Sequence, residues 1–216
     1  MYKDQKNYSN SFGTNIYLIR HCNRLDSDMK DTWKEITFSE HEVPLSPQGA
    51  RQAFRLAENL KNKRIDYIFS SPFLRCVQTC YPLSIMKSID INVDNRLCEW
   101  FSPKWFSKKP ITLSLKELFN YNPTINLDYY PGEYPSYPEY DPEVELQARV
   151  SDFLKSIDLA GYKNIAIISH GMPIKLLLKL FELPVIKPEK GMVIHVSRNS
   201  EIFQIEDIQD INTIKI

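Results

Sequence analysis

The chain has 216 residues, a length that suits one domain with a buried core. Its 27 basic and 27 acidic side chains give a net charge of zero, which argues against a nucleic-acid partner and requires any anion site to be a local cluster. No apolar run approaches the roughly 20 residues of a membrane span, and residues 1–14 lack the apolar segment of a secretion signal. We therefore expect a cytoplasmic protein without a membrane partner, with a flexible tail at residues 1–14.

Short apolar runs rich in β-branched and aromatic residues predict buried strands. Six segments carry this pattern: NIYLI at 15–19, DYIFSS at 66–71, INV at 91–93, NIAIIS at 164–169, MVIHV at 192–196 and IFQI at 202–205. Helical periodicity or helix-starting residues occupy the intervals between them. The predicted helices begin at Gln48, Pro72, Pro142 and Ile174. Strands that alternate with helices predict an α/β fold of three layers, with a mostly parallel sheet flanked by helices.

Two stretches do not fit this alternation. Residues 24–47 are polar and are expected to be irregular. Residues 95–140 contain six prolines among many aromatic side chains, so we interpret them as an irregular insertion with one short helix near Leu113–Phe119.

Three of the predicted strands are followed by polar residues of catalytic type. Arg20 and His21 end the first strand with Arg24 close behind, Arg75 follows the second, and His170 follows the third. Ligands bind at the carboxyl ends of strands in such sheets, so these five side chains are expected to form one site.

The residue types favour phosphoryl transfer. Several arginines make a phosphate clamp, and a neutral imidazole can attack phosphorus while a second imidazole stabilises the charge on the phosphoryl oxygens. A carboxylic acid must protonate the leaving oxygen, and Glu99 in RLCEW is the candidate. No set of metal-ligating residues accompanies the arginines, so we expect neither a metal nor another cofactor.

The segments LIRHCNR, LSPQGARQA, SSPFLRCVQT, LCEW and ISHG, in this order, resemble the histidine phosphatase superfamily, which is also called phosphoglycerate mutase-like. The spacing of Arg20 and Arg24 and the Glu99-Trp100 pair are most similar to the branch of the suppressor-of-T-cell-receptor-signalling and ecdysteroid-phosphate phosphatases. The resemblance implies one domain at 15–216, with 95–140 lying over the active site.

The resemblance also implies roles for the site residues. His21 would be the phosphorylated nucleophile and Glu99 the proton donor, while Trp100 is a candidate for contact with the substrate. The phosphoryl group would be bound by Arg20, Arg24, Arg75 and His170. We expect a metal-independent phosphomonoesterase that acts on a phosphorylated small molecule or a phosphotyrosine-type group. A homodimer stays open as the assembly state.

One residue departs from the family pattern. The glycine that follows the nucleophile in the family is Cys22 here, and its side chain either points into the core or distorts the pocket and makes activity sensitive to oxidation. Two alternatives stay open. A phosphoglycerate mutase-type phosphotransferase is disfavoured because the segment EWFSPKWFSKKP lacks glycine, and a catalytically weak phosphate-binding or interaction module is motivated by Cys22.

Overall fold

The computed structural model describes residues 14–29, 41–159, 161–199 and 202–213. Its sheet has six strands in the order β3-β2-β4-β1-β5-β6. The strands are β1 Thr14–Arg20, β2 Tyr67–Ser70, β3 Ile91–Val93, β4 Ile165–Ser169, β5 Met192–Asn199 and β6 Ile202–Asp210. The first four strands run parallel to one another, whereas β5 and β6 are antiparallel additions. The predicted α/β fold with a mostly parallel sheet is thus confirmed.

Helices cover both faces of the sheet. They are α1 Leu25–Met29, α2 Pro47–Leu60, α3 Leu74–Lys87, α4 Leu115–Tyr121, α5 Gln147–Leu159 and α6 Gly171–Leu180. Because successive strand residues point to opposite faces, Tyr17 and Ile19 of β1 join the core under α2 and α3, whereas Ile16 and Leu18 join the core under α5 and α6. These two cores make the three layers.

Several boundaries differ from the sequence-based prediction. Residues 25–29, expected to be irregular, form α1, and residues 30–40 lie outside the described part. Helix α3 starts two residues after Pro72, and α5 is preceded by one π-helical turn at Pro142–Leu146. The short helix of the insertion runs from Leu115 to Tyr121, shifted by two residues from the prediction. Of the predicted tail, residues 1–13 lie outside the described residues and Thr14 already belongs to β1.

The first turn of α2 supports the loop that follows β1. The Ser46 side chain caps α2 by accepting a hydrogen bond from the Gly49 amide at 3.0 Å, and the Ser46 amide donates to the Asn23 carbonyl at 3.0 Å. The Asn23 amide in turn donates to Gln52 at 2.8 Å. A Cβ on Gly49 would lie 2.0 Å from the Asn23 carbonyl oxygen, so only glycine allows this approach.

We expect Gly49→Ala to separate α2 from this loop, because neither backbone can give way without losing hydrogen bonds. The free energy of unfolding should fall by roughly 2 kcal/mol or more, measured by urea unfolding. The Asn23 amide should lose protection in hydrogen exchange. Arg51→Ala, at an exposed position of the same helix, is the control and should change neither quantity; equal behaviour of the two variants would contradict the proposed contact.

The start of α3 is held by a carboxyl group from outside the helix. Phe73, at the N-cap, offers no capping side chain, and Glu42 instead accepts a hydrogen bond from the Leu74 amide at 2.8 Å. Glu42 is buried, and this desolvation raises the pKa of its carboxyl from 4.5 to about 7 against the opposing effects of the Leu74 amide and the Arg75 charge.

This pKa makes Glu42 a source of pH-dependent stability. Because the folded chain binds the Glu42 proton more tightly than the unfolded chain, the free energy of unfolding should fall as the pH rises from about 4.5 to about 7, by at most about 3 kcal/mol. Glu42→Gln should remove this fall, measured as the difference between urea unfolding at pH 5 and at pH 8. Glu117→Gln is the control: Ser114 lowers the pKa of the exposed Glu117 below 4.5, so the contribution of Glu117 is already complete at pH 5 and its removal should leave the difference unchanged. An unchanged pH difference in Glu42→Gln would refute the assignment.

Candidate active site

The register of β1 and β4 brings two histidines together at the carboxyl edge of the sheet. Arg20 lies opposite Ser169, and the His21 amide donates to the Ser169 carbonyl at 3.0 Å. The next residue of each strand is a histidine, and the ring centroids of His21 and His170 lie 5.3 Å apart. The predicted juxtaposition of these two side chains is present in the structure.

The backbone selects one tautomer of His21. Its Nδ1 lies 2.8 Å from the Cys22 carbonyl oxygen, which can only accept, so Nδ1 carries the proton and Nε2 keeps a free lone pair. Burial, followed by the charge of Arg75, holds the pKa of His21 well below its usual range. His21 is therefore a neutral imidazole with an available nucleophilic nitrogen at neutral pH.

His170 is neutral for the same reasons but has the opposite tautomer. Its Nδ1 lies 3.4 Å from Arg75 Nη2, and since a guanidinium only donates, Nδ1 is the acceptor. Its Nε2 then carries the proton and donates to Ser71 Oγ at 2.8 Å. Burial and the Arg75 charge hold the pKa of His170 well below its usual range.

Two arginines are fixed by backbone carbonyls and keep other donors free. Arg20 Nη1 donates to Pro188 at 2.8 Å, and Arg75 Nη1 donates to His41 at 3.1 Å. The Nε atoms of Arg20 and Arg75 are buried without a hydrogen-bond partner among the described residues. Buried donors without acceptors are costly, and an anion with several oxygens would satisfy them.

Arg24 belongs to the same cluster but is partly engaged. Its Nε and Nη2 donate to the two oxygens of Asp26 at 3.0 and 2.5 Å. Its charge nevertheless contributes to the lowered pKa of both His21 and His170. Arg24 is more exposed than Arg75, and it adds positive charge to the site from the solvent side.

Glu99 faces the arginines from the loop after a 3-10 turn at Asn95–Leu97. Its Oε1 accepts a hydrogen bond from the Trp100 amide at 2.9 Å. Burial raises the pKa of Glu99 above its ordinary value, while the Trp100 amide and the charges of Arg75 and Arg20 oppose this shift. A carboxyl with a raised pKa beside an anion site is suited to proton transfer.

Trp100 is the predicted site residue that the structure connects least to the others. Its ring packs edge-on against Trp105 at 5.1 Å and against the core under α5 and α6. Its buried Nε1 has no hydrogen-bond partner among the described residues. Trp100 therefore borders the site through its neighbour Glu99, with Trp105 on its outer side.

The Cys22 side chain points into the core. Cys22 is fully buried, its amide donates to Thr79 Oγ1 at 3.1 Å, and its sulfur lies 3.8 Å from where a Cβ on Gly191 would be. Burial raises the pKa of the thiol to about 12, so the reactive thiolate is not formed at neutral pH. The first of the two outcomes considered for Cys22 is the one observed.

The structure adds residues that the sequence did not single out. Arg149 of α5 donates to backbone carbonyls on both sides of Cys98 and pairs with Glu139, which is buried. Ser71 ends the second predicted strand, and its hydroxyl orients His170 by accepting from Nε2 at 2.8 Å. Their partners are backbone groups or distant side chains, so neither position carries a signal in the sequence.

The described residues contain no group of three or more His, Cys, Asp or Glu side chains that could hold a metal ion. All four cysteines are buried and free. None of the described helices has the length and apolar character needed to cross a membrane.

Comparisons with known proteins agree with this geometry. The chain is 29% identical over 158 residues to the putative phosphoserine phosphatase 2 of Hydrogenobacter thermophilus, and this match covers 72% of each protein. It is 26% identical over 170 residues to the ecdysteroid-phosphate phosphatase of Drosophila melanogaster, covering 63% of this chain and 21% of that one. The chain thus spans about a fifth of the length of this second relative.

A solved structure has the same fold. The ecdysone phosphate phosphatase of Bombix mori, in complex with tungstate, superposes with a TM-score of 0.71 at 16% identity, covering 90% of this chain and 92% of that one. The family model described as the histidine phosphatase superfamily (branch 1) matches residues 16–206. The predicted resemblance is confirmed: the chain belongs to the histidine phosphatase superfamily and is similar to its ecdysteroid-phosphate phosphatase branch.

Proposed function

We propose that the protein is a metal-independent phosphomonoesterase that works through a phosphohistidine on His21. The observation that carries this proposal is the state of His21, which is neutral, has its lone pair on Nε2, and is surrounded by three arginines. The arginines supply the positive charge that would otherwise have to come from a metal ion.

In the first step, His21 Nε2 attacks the phosphorus atom of the bound ester. The N–P bond forms as the bond from phosphorus to the ester oxygen breaks, and protonated Glu99 gives its proton to the leaving alcohol. Arg20, Arg24 and Arg75 bind the phosphoryl oxygens, and His170 stabilises the charge that develops on them.

In the second step, Glu99 is a carboxylate and acts as the base. It takes a proton from a water molecule, whose oxygen attacks the phosphorus and displaces His21 Nε2. The products are inorganic phosphate and the free imidazole, and Glu99 is protonated again for the next cycle. The opposing influences on the pKa of Glu99 favour this use of both protonation states.

His21→Ala should lower kcat for p-nitrophenyl phosphate by about 10³-fold or more, because it removes the proposed acceptor of the phosphoryl group. Rapid quenching of the wild-type enzyme should trap acid-labile phosphate on His21, identified by mass spectrometry. His195→Gln is the control, since His195 stacks on Tyr17 within the sheet and bonds Asn15. Turnover within tenfold of wild type in His21→Ala, or phosphate trapped on another residue, would overturn the mechanism.

The insertion supports a proposal about the substrate. Most of its aromatic side chains hold it in place: Phe101 packs between Phe73 and Tyr134, and the hydroxyl groups of Tyr134 and Tyr137 donate to carbonyls of the insertion itself. Trp100 follows the acid directly and packs against Trp105, which is 53% exposed. We propose that this pair contacts the leaving group, which favours aryl phosphates such as phosphotyrosine.

The wild-type enzyme should accordingly have a higher kcat/KM for aryl phosphates than for 3-phosphoglycerate or sugar phosphates. Trp100→Ala and Trp105→Ala should narrow this preference through a higher KM for the aryl esters. Tyr140→Ala, at a 73% exposed aromatic position of the same insertion, is the control. If a sugar phosphate is the best substrate, or if the tryptophan variants keep the wild-type ranking, the proposed contact is wrong.

A further inference from the structure

The loop that carries Glu99 is held by one arginine from a distant helix. Arg149 Nη1 donates to the carbonyl oxygens of Arg96 and Cys98 at 2.7 and 2.8 Å, and Nη2 donates to the carbonyl oxygen of Glu99 at 2.8 Å. The three carbonyls belong to a segment outside the sheet. Arg149 donates the hydrogen bonds that these carbonyls would receive from a neighbouring strand if they lay in a sheet.

Glu139 completes this arrangement on the other side of Glu99. Its two oxygens accept from Arg149 Nε and Nη2 at 2.7 and 3.0 Å, and one of them also accepts from the Phe101 amide at 2.7 Å. The Glu139 amide donates to the Phe101 carbonyl at 3.0 Å. The backbone before and after Glu99 is therefore bound to one ion pair, through Arg149 on one side and Glu139 on the other. Glu139 is only 2% exposed.

The hydrogen bonds of Arg149 account for all five of its N–H groups: one from Nε, two from Nη1 and two from Nη2. None is left for a phosphate oxygen, which distinguishes Arg149 from Arg20 and Arg75, whose buried Nε atoms have no partner within the described part of the chain. A lysine could not reproduce the planar fork that reaches three carbonyls and a carboxylate together.

We propose that Arg149, together with Glu139, is a positioning residue that fixes the Glu99 carboxyl where it transfers the proton. The inference rests on the proposed function, because it assigns to Arg149 an effect that is exerted through Glu99. A carboxyl held out of line by a fraction of an ångström protonates the leaving oxygen less well, so the loss should appear in chemistry and not in binding.

The test is a double-mutant cycle of Arg149→Lys and Glu99→Gln on two esters. Phenyl phosphate needs its leaving group protonated, and p-nitrophenyl phosphate needs this much less. Arg149→Lys should lower kcat/KM for phenyl phosphate by about tenfold or more and for p-nitrophenyl phosphate by less than about threefold, with the inhibition constant of inorganic phosphate unchanged. The ratio kcat/KM reports the first step alone, whereas kcat also contains the hydrolysis of the phosphohistidine, which is common to both esters. In the Glu99→Gln background, the same substitution should lower kcat/KM for phenyl phosphate by less than about twofold.

Two further variants test the same inference. Glu139→Gln keeps an oxygen for the Phe101 amide, so it is the milder change if Arg149→Lys does not fold. It should also lower activity more on phenyl phosphate than on p-nitrophenyl phosphate, by smaller factors than Arg149→Lys. Arg198→Lys is the matched control, because Arg198 also forms an ion pair with a residue of α5, Asp158, at 2.8 Å. This ion pair does not include the loop that carries Glu99.

Three outcomes would overturn the inference: equal losses of kcat/KM on both esters, the full loss retained in the Glu99→Gln background, or weaker inhibition by inorganic phosphate, which would signal direct binding of the phosphoryl group. A wild-type enzyme inactive on both esters would instead refute the proposed function.

Discussion

The pairing of β1 with β4 in one register is the constraint on which the site depends. It sets Arg20 opposite Ser169, so that the following residues, His21 and His170, leave the sheet at the same edge. A slip of one residue would move every side chain of β1 to the other face, and both cores hold β1 against such a slip. His21 and His170 are thus placed by the apolar alternation of the two strands that precede them.

The positive charges of the arginine side chains in the site repel one another in the absence of a bound anion. Burial and the neighbouring Arg24 lower the pKa of Arg75, and the same surroundings keep both histidines neutral. Neutral histidines are what the proposed chemistry requires, because a protonated His21 would have no lone pair. Burial and, after it, the arginine charges therefore keep His21 in the neutral form that the proposed reaction needs, and a phosphate dianion would offset the concentrated positive charge.

The parts of the site that follow strands could be predicted from the sequence. His21, Arg75 and His170 come at or just after the ends of buried strands, and parallel strands bring their ends together whatever the details of packing. Arg149 and Glu139 could not be found in this way, because their main partners are backbone carbonyls and amides, which look alike at every position in a sequence. The contacts of Glu42 and Gly49 could not be predicted for the same reason, because their partners are the Leu74 amide and the Asn23 carbonyl.

Cys22 shows how a departure from a family pattern is accommodated by its surroundings. The Cys22 side chain is buried in the core while its amide donates to Thr79, and the ring of His21 keeps its contact with the Cys22 carbonyl. The close backbone approach is supplied by Gly191, which has a φ of +78° and donates its amide toward the carbonyls of Arg20 and His21 at 3.1 and 3.2 Å. A Cβ at this position would lie 2.5 Å from Ile211 Cγ2, and the positive φ also favours glycine, so the loop reaches the end of β1 in this conformation only with a glycine there. The position of His21 therefore depends on the loop before β5 as much as on the residue that follows it in the chain.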